Sequence, residues 1–282
     1  LAEADEAGRE AALAEVLAEA GVDNADALAA AAALEEGQAP SAAENGSDEA
    51  GRAEADEVAA AGAAGLAAPE SSGLEVLGRI GRGSQAVVYR CRQVDMDRVV
   101  AVKILHPQRA GEEDARERFL REARAAAVLM HPNIVTIHEI RPLADTVAIV
   151  MEYVDGGTLA DLLKRRKRLE PAEAVAIIRQ VADALRAAHD RGLIHRDVNP
   201  RNIMLTREGQ VKLADMGLAR HVAESDGVEG KAFGTPYYIS PEQVTGDPPP
   251  DHRTDLYSLG VTLYEMVAGR PPFVADTPKE IM

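Results

Sequence analysis

Residues 193–205, LIHRDVNPRNIML, set a carboxylate and a carboxamide on a short loop between two apolar anchors. Leu193 and Ile194 lead in and Ile203 to Leu205 lead out, and both read as buried segments. Between them His195 and Arg196 precede Asp197, and Asn202 follows five residues after the aspartate. A loop tied down at both ends holds its polar groups in place, as a reacting group requires. Asn199, the second residue after Asp197, keeps a hydrogen-bond donor and carries no charge.

Downstream, VKLADMGLA (residues 211–219) carries Asp215 in a D-x-G turn. Upstream, LEVLGRIGRGSQAVVYRCRQ (74–93) and RVVAVKIL (98–105) are short β-branched segments, and a glycine turn inside the first predicts a hairpin. Gly81-x-Gly83-x-x-Ala86-x-Val88 lets backbone N–H groups approach phosphates that a Cβ would obstruct, although alone it reads more readily as an ordinary turn between strands. EDARERFLREARAAAVLM (113–130) reads as a helix, and IVTIHEI (134–140) and VAIVMEYV (147–154) as strands. After Gly156-Gly157 the patterns are helical: Val175, Ile178, Val181, Ala182 and Leu185 recur with a period near 3.6. Strands first and helices later predict an α+β fold, a small sheet lobe followed by a helical lobe.

The loop, the glycine hairpin, Lys103 in VAVKIL, Glu122 in FLREARAAA, the Asp215 turn and FGTPYYISPEQ (233–243) stand in one order at matching spacing. Together they resemble the catalytic domain of protein kinases, in particular the bacterial eukaryotic-like serine/threonine group. The resemblance covers residues 74–282 and implies a two-lobed fold: an antiparallel sheet lobe over 74–154 and a larger helical lobe over 155–282, incomplete at its C-terminal end. It implies ATP as cosubstrate and Mg²⁺ as cofactor. Lys103 would contact the α- and β-phosphates and pair with Glu122, and Asn202 and Asp215 would hold the metal. Gly81 and Gly83 would cover the phosphates. Adenine would lie between Val88 and Ala101 above and Met204 below, with Met151 guarding the deeper pocket and Glu152 to Val154 offering backbone hydrogen bonds. Asp197 would orient the acceptor hydroxyl, Thr235 would contact Asp197, and Asp255 would brace the loop backbone. The partners implied are protein substrates with Ser/Thr acceptors, and dimerisation for autophosphorylation is a further one.

The departures are specific. Ala86 stands for a third glycine, Met216 for phenylalanine and Ser240 for alanine in the A-P-E segment. Asn199 replaces a lysine, so a cation on the transferring phosphate is lost; such a stabiliser is worth about 10²–10³ in rate. Asp197, Asn202, Lys103 and Asp215 all remain, which favours an active enzyme over a nucleotide-binding pseudokinase or a scaffold. Arg196 implies a loop controlled by negative charge, but Lys231 occupies a common phosphoacceptor position. Glu229 is expected to take the phosphate's place, with Ser225 the alternative acceptor.

Charge separates the chain into two parts. Residues 1–70 contain 17 acidic and 2 basic residues, a charge of −15; residues 71–282 contain 30 and 29, a charge of −1. The acidic, alanine-rich extension predicts a helical hairpin over residues 11–37 and then a disordered linker. Neither part suits nucleic acid as main partner. KRRKR (164–168) reads as a solvated turn, with docking of the acidic arm as the sharper alternative. A single cysteine, Cys91, fits a reducing compartment, and the histidines show no zinc-ligand spacing. No apolar run is long enough to span a membrane and no signal peptide is legible. By resemblance the kinase domain is cytoplasmic, with any membrane tether outside this stretch. The absent initiating methionine and the missing final helices lead to the expectation of a fragment. Glu242 is then expected to lack its buried arginine partner.

Overall fold

The computed structural model describes residues 73–83, 85–106, 113–143, 146–215, 220–221 and 236–275. The expectations for residues 1–70, Met216, Ser225, Glu229, Lys231 and Thr235 lie outside them.

Alternation of side chains along β-strands builds the first lobe. β1 (Leu74–Arg82), β2 (Ala86–Gln93), β3 (Arg98–Leu105), β4 (Ile137–Pro142) and β5 (Val147–Glu152) form an antiparallel sheet in the order β1-β2-β3-β5-β4. The β2–β3 register is unbroken from Ala86 opposite Leu105 to Gln93 opposite Arg98, and sets Val88 opposite Lys103. Successive β3 residues therefore serve different layers. Val100, Val102 and Ile104 join Leu74, Tyr89 and Cys91 in one buried cluster. Leu105 packs on the other face with Phe119 and Ala123 of α1 (Glu113–Ala127). Lys103 and Ala101 share that second face, so the strand pattern itself points Lys103 away from the outer core. Burial pushes the Cys91 thiol up to about 12, which keeps it an inert core group.

The second lobe packs α2 (Leu159–Arg166), α3 (Pro171–His189) and α5 (His252–Ala268) around one apolar core, while α4 (Pro241–Thr245) has no buried residue. Thr158 starts α2 with a capping box: its hydroxyl accepts from Asp161 N–H at 3.1 Å, and the Asp161 carboxylate accepts from Thr158 N–H. Lys164, Arg165 and Arg166 belong to the last turn of α2, which corrects the reading of 164–168 as a turn. Cations are favourable at a helix C-terminus, and Arg166 also meets Glu173 at 2.7 Å.

The buried face of α3 is Ala174, Ile177, Val181, Ala184, Leu185 and Ala188, rotated from the face expected by apolar size. Alanines allow close approach, while Ile178 and Ala182 flank the core half-buried.

Candidate active site

Two short ladders hold the ends of the loop. β6 (Leu193–Ile194) pairs with β9 (Arg220–His221), and β7 (Ile203–Leu205) pairs with β8 (Val211–Leu213). Between them the backbone hangs on Asp255, which is fully buried in the first turn of α5. Its Oδ2 accepts from His195 N–H at 2.8 Å and from His189 Nε2 at 2.7 Å, and its Oδ1 accepts from Arg196 N–H at 2.7 Å. Arg196 has φ +65°, a region an L-residue enters only when its surroundings hold it there. Gln243 Nε2 donates to the Arg196 carbonyl at 2.9 Å, so both sides of this residue are pinned. The buried His195 donates from Nε2 to Ala214 O at 3.1 Å and accepts Asp197 N–H on Nδ1 at 3.3 Å. One neutral tautomer thus ties the loop to the residue before Asp215.

Two amides hold the two oxygens of Asp197. Asn199 Nδ2 lies 3.0 Å from Oδ1, and Asn202 Nδ2 lies 3.0 Å from Oδ2. Both amides also donate to Asp197 O, at 3.0 and 2.8 Å. Asn199 Oδ1 accepts Arg201 N–H at 2.9 Å, which orients its amide unambiguously. The carboxylate thereby loses its rotational freedom.

A cavity opens beside this loop, roofed by Ile80, Gly81, Val88 and Ala101 and floored by Met204 and Leu213. Met151, Glu152 and Val154 line its back wall, and Lys103, Glu122, Asn202 and Asp215 its polar end. Gly83 does not line it: its N–H donates to Ala86 O at 2.9 Å and its carbonyl meets His106 Nε2 at 3.0 Å. Closing the hairpin tip thus uses the Gly83 N–H.

Lys103 finds a different anion from the one expected. Its Nζ lies 2.5 Å from Asp215 Oδ1, while Glu122 lines the same cavity from α1. The physical reason is the backbone of Asp215, whose φ of +58° sets the carboxylate against Lys103 where β8 ends. Burial raises the Asp215 carboxyl, but the Lys103 charge and hydrogen bond outweigh it, and the group sits below its ordinary value. Its side chain remains 46% exposed at the cavity mouth, so solvent screens part of that pairing.

The residues suit a hard divalent ion. Asn202 donates through Nδ2, which leaves its carbonyl oxygen as a ligand beside the Asp215 carboxylate. No group of three or more His, Cys, Asp or Glu able to hold a metal occurs among the described residues. Two protein oxygens, with phosphate oxygens and water completing the shell, match Mg²⁺ better than zinc.

Glu242 is held by hydroxyl and backbone donors. Thr254 Oγ1 donates to its Oε1 at 2.7 Å; burial raises this carboxyl, while hydrogen bonds from Thr254, its own N–H and Ser240 bring it below its usual value. Among the polar residues lining the cavity, Thr158 and Arg201 were not singled out from the sequence. The spacing signal for Arg201 was present, four residues after Asp197 in the same loop.

Comparison with known proteins gives one family. The family model described as protein kinase domain matches residues 74–282. The chain is 44% identical over 205 residues to a probable serine/threonine-protein kinase of Clostridium perfringens, covering 72% of this chain and 30% of that protein. It is 42% identical over 209 residues to serine/threonine-protein kinase PknB of Mycobacterium leprae, covering 72% and 33%. It is 42% identical over 207 residues to serine/threonine-protein kinase PknL of Mycobacterium tuberculosis, covering 73% and 52%. The chain thus spans a third to a half of the length of these relatives. Among the described residues no helix is long and apolar enough to cross a membrane.

Proposed function

Because the chain belongs to the protein kinase domain family across residues 74–282, we propose that it transfers the γ-phosphoryl group of ATP to serine or threonine hydroxyls of proteins. The observation that carries this reading is the double amide clamp on Asp197 beside a cavity holding Lys103 and Asp215. The named relatives are serine/threonine-protein kinases, which supports the acceptor class.

Each residue then has a task. Asp197 accepts the proton of the acceptor hydroxyl as its oxygen bonds to the γ-phosphorus. The bond from that phosphorus to the bridging oxygen breaks, and ADP leaves with the electron pair. Lys103 offers its ammonium to the α- and β-phosphates, and the apolar walls formed by Val88, Ala101 and Met204 enclose adenine. Asn202 and Asp215 would hold Mg²⁺, which neutralises phosphate charge when bound. Thr235 is assigned contact with Asp197 by family resemblance alone. The acceptors are side chains of other proteins or of a second copy of this chain, in a signalling role.

Transfer of labelled phosphate to a generic protein substrate tests the reading. Asp197→Asn should lower kcat by about 10²–10⁴, the usual contribution of a positioned base. Equal transfer by this variant and the wild type would remove Asp197 from the mechanism. Lys103→Met should diminish the rise in Tm that ATP and magnesium produce, since a ligand stabilises only in proportion to its binding.

A further inference from the structure

Five consecutive cations, Lys164 to Arg168, stand exposed where α2 ends and the chain turns into α3. The helix end accounts for Lys164, Arg165 and Arg166, and Arg166 is matched by Glu173 at 2.7 Å. It does not account for Lys167 and Arg168, which follow the last helical residue. The end of α5 adds a sixth cation. Leu169 N–H donates to Met266 O at 2.7 Å, and a Cβ on Gly269 would come within 3.0 Å of Lys167 O. Arg270, exposed and next in the chain to Gly269, thus stands beside the same turn. Lys167 itself has φ +70°, where a lysine is strained and a glycine is not. Outliers of this kind gather at binding surfaces.

Acids near these cations are fewer. Asp161, held low first by Thr158, also feels Arg165 and Lys164; Glu173 takes Arg166; Glu170 follows the turn. Among the described residues the side chains of Lys167, Arg168 and Arg270 make no hydrogen bond or ion pair. The same chain carries a counter-charge: residues 1–70 hold 17 acidic and 2 basic side chains. Reach is no obstacle. The 37 residues between Glu36 and Leu74 span up to about 120 Å when extended. A domain of roughly 200 residues has a radius of gyration of only about 17 Å.

We propose that the acidic arm, residues 1–70, docks on this cationic surface of its own molecule. No single exposed ion pair holds it, since such pairs are weak and screened by salt. The tether raises the local concentration of the arm, so that many weak pairs act together. None of the six cations lines the cavity, so the contact lies apart from the site described above. The rival anions for the same surface are an acidic membrane and an acidic segment of a second molecule.

The sequence makes the contact easy to read, because it has six lysines and only Lys164 and Lys167 belong to the cluster. The full-length protein would be treated with a carbodiimide, which joins a carboxylate to a lysine amine in direct contact, and the joined peptides identified by mass spectrometry. Residues 1–70 should be found joined to Lys164 and Lys167, within one molecule and independently of protein concentration. The yield should fall about tenfold or more in 1 M salt, where the screening length is about 3 Å. It should fall equally in the triple variant Arg165→Glu, Arg168→Glu, Arg270→Glu, which keeps both reporting lysines. All three side chains are exposed, so an unchanged Tm checks that the variant is folded. An unaltered yield in that variant would overturn the proposal, as would joining of the arm chiefly to Lys231 or Lys279. Joining between molecules that grows with concentration would assign the surface to a second copy, and joining to acids outside residues 1–70 to another segment; either result overturns it. So would sedimentation with phosphatidylglycerol vesicles that the same substitutions abolish, in a protein whose arm gives no cross-link to Lys164 or Lys167.

Discussion

Asp197 is presented by its neighbours, and a single amide decides much of that presentation. Asn199 Nδ2 and Asp197 Oδ1 are 3.0 Å apart in a nearly closed site. Replacing this amide with a carboxylate, Asn199→Asp, would put two like charges at hydrogen-bond distance. One of the two carboxyls must then titrate higher, and a base must be ionised to act. The acid limb of the kcat/KM profile should therefore move up by roughly one unit or more, measured as initial rate against pH. An unmoved limb would show that Asp197 does not feel position 199. The convergence of Asn202 and Asp215 on one cavity was legible from their motifs and the family resemblance. The partner of Lys103 was not: it lies 112 residues away, and the positive φ of Asp215 that selects it has no signature in a D-x-G string.

Between elements, the wall of the cavity depends on contacts that no pattern announced. Lys212 of β8 is 7% exposed, and its Nζ meets Glu152 Oε1 at 2.7 Å at the end of β5. Glu152 Oε2 accepts Thr136 N–H at 3.1 Å, so one carboxylate ties the strand before Asp215 to the segment joining the lobes. Removing one partner leaves a mostly buried charge uncompensated. Lys212→Met should destabilise by about 3 kcal/mol in urea denaturation, and Lys212→Met with Glu152→Met should recover most of it. Gly156 is a second such contact. Its N–H donates to Leu205 O at 2.9 Å, and an added Cβ would collide with that same carbonyl oxygen and with Thr206. Gly156→Ala should cost about 1–3 kcal/mol, the penalty for forcing a tightly packed contact apart, in the same assay. Periodicity did announce α3 but placed its buried face one step away, because the pattern weighs apolar size. The packing instead chose Ala174, Ala184 and Ala188 for closeness.

At the scale of the whole molecule, protonation acts on several sites in one direction. Asp161 and Glu139 are held below their ordinary values chiefly by hydrogen bonds from Thr158 and Arg141. Asp215 and Glu242 are also below theirs, because their partners outweigh burial. Burial holds His131 below 6.5, and its Nδ1 accepts Asn133 N–H, a bond that protonation of that nitrogen would break. In every case the unfolded chain binds the proton more readily, so stability rises with pH through the window. The His131 contribution is complete above pH 6.5 and is lost as pH falls through its lower folded value. Those of the carboxylates, whose unfolded values are 3.8 and 4.5, are lost at more acid pH. A plot of Tm against pH should be level above neutrality, decline gently below pH 6.5 and steepen below 4.5. A Tm that increased on acidification would contradict these assignments.

The sequence by itself determined the order of strands and helices and the two-lobed class. Alternation, helical period and motif spacing are short-range properties, readable wherever a few neighbours in the chain settle the conformation. The tertiary structure alone decided which groups meet: Asp255 with the backbone of His195 and Arg196 about sixty residues before it, Lys103 with Asp215, Lys212 with Glu152. It also decided that Asn199 turns its amide to the Asp197 carboxylate. Such choices depend on which charges and donors packing brings within a few ångströms, and the strength of an electrostatic or hydrogen-bonded contact is set by that distance and by burial, neither of which is local in the chain.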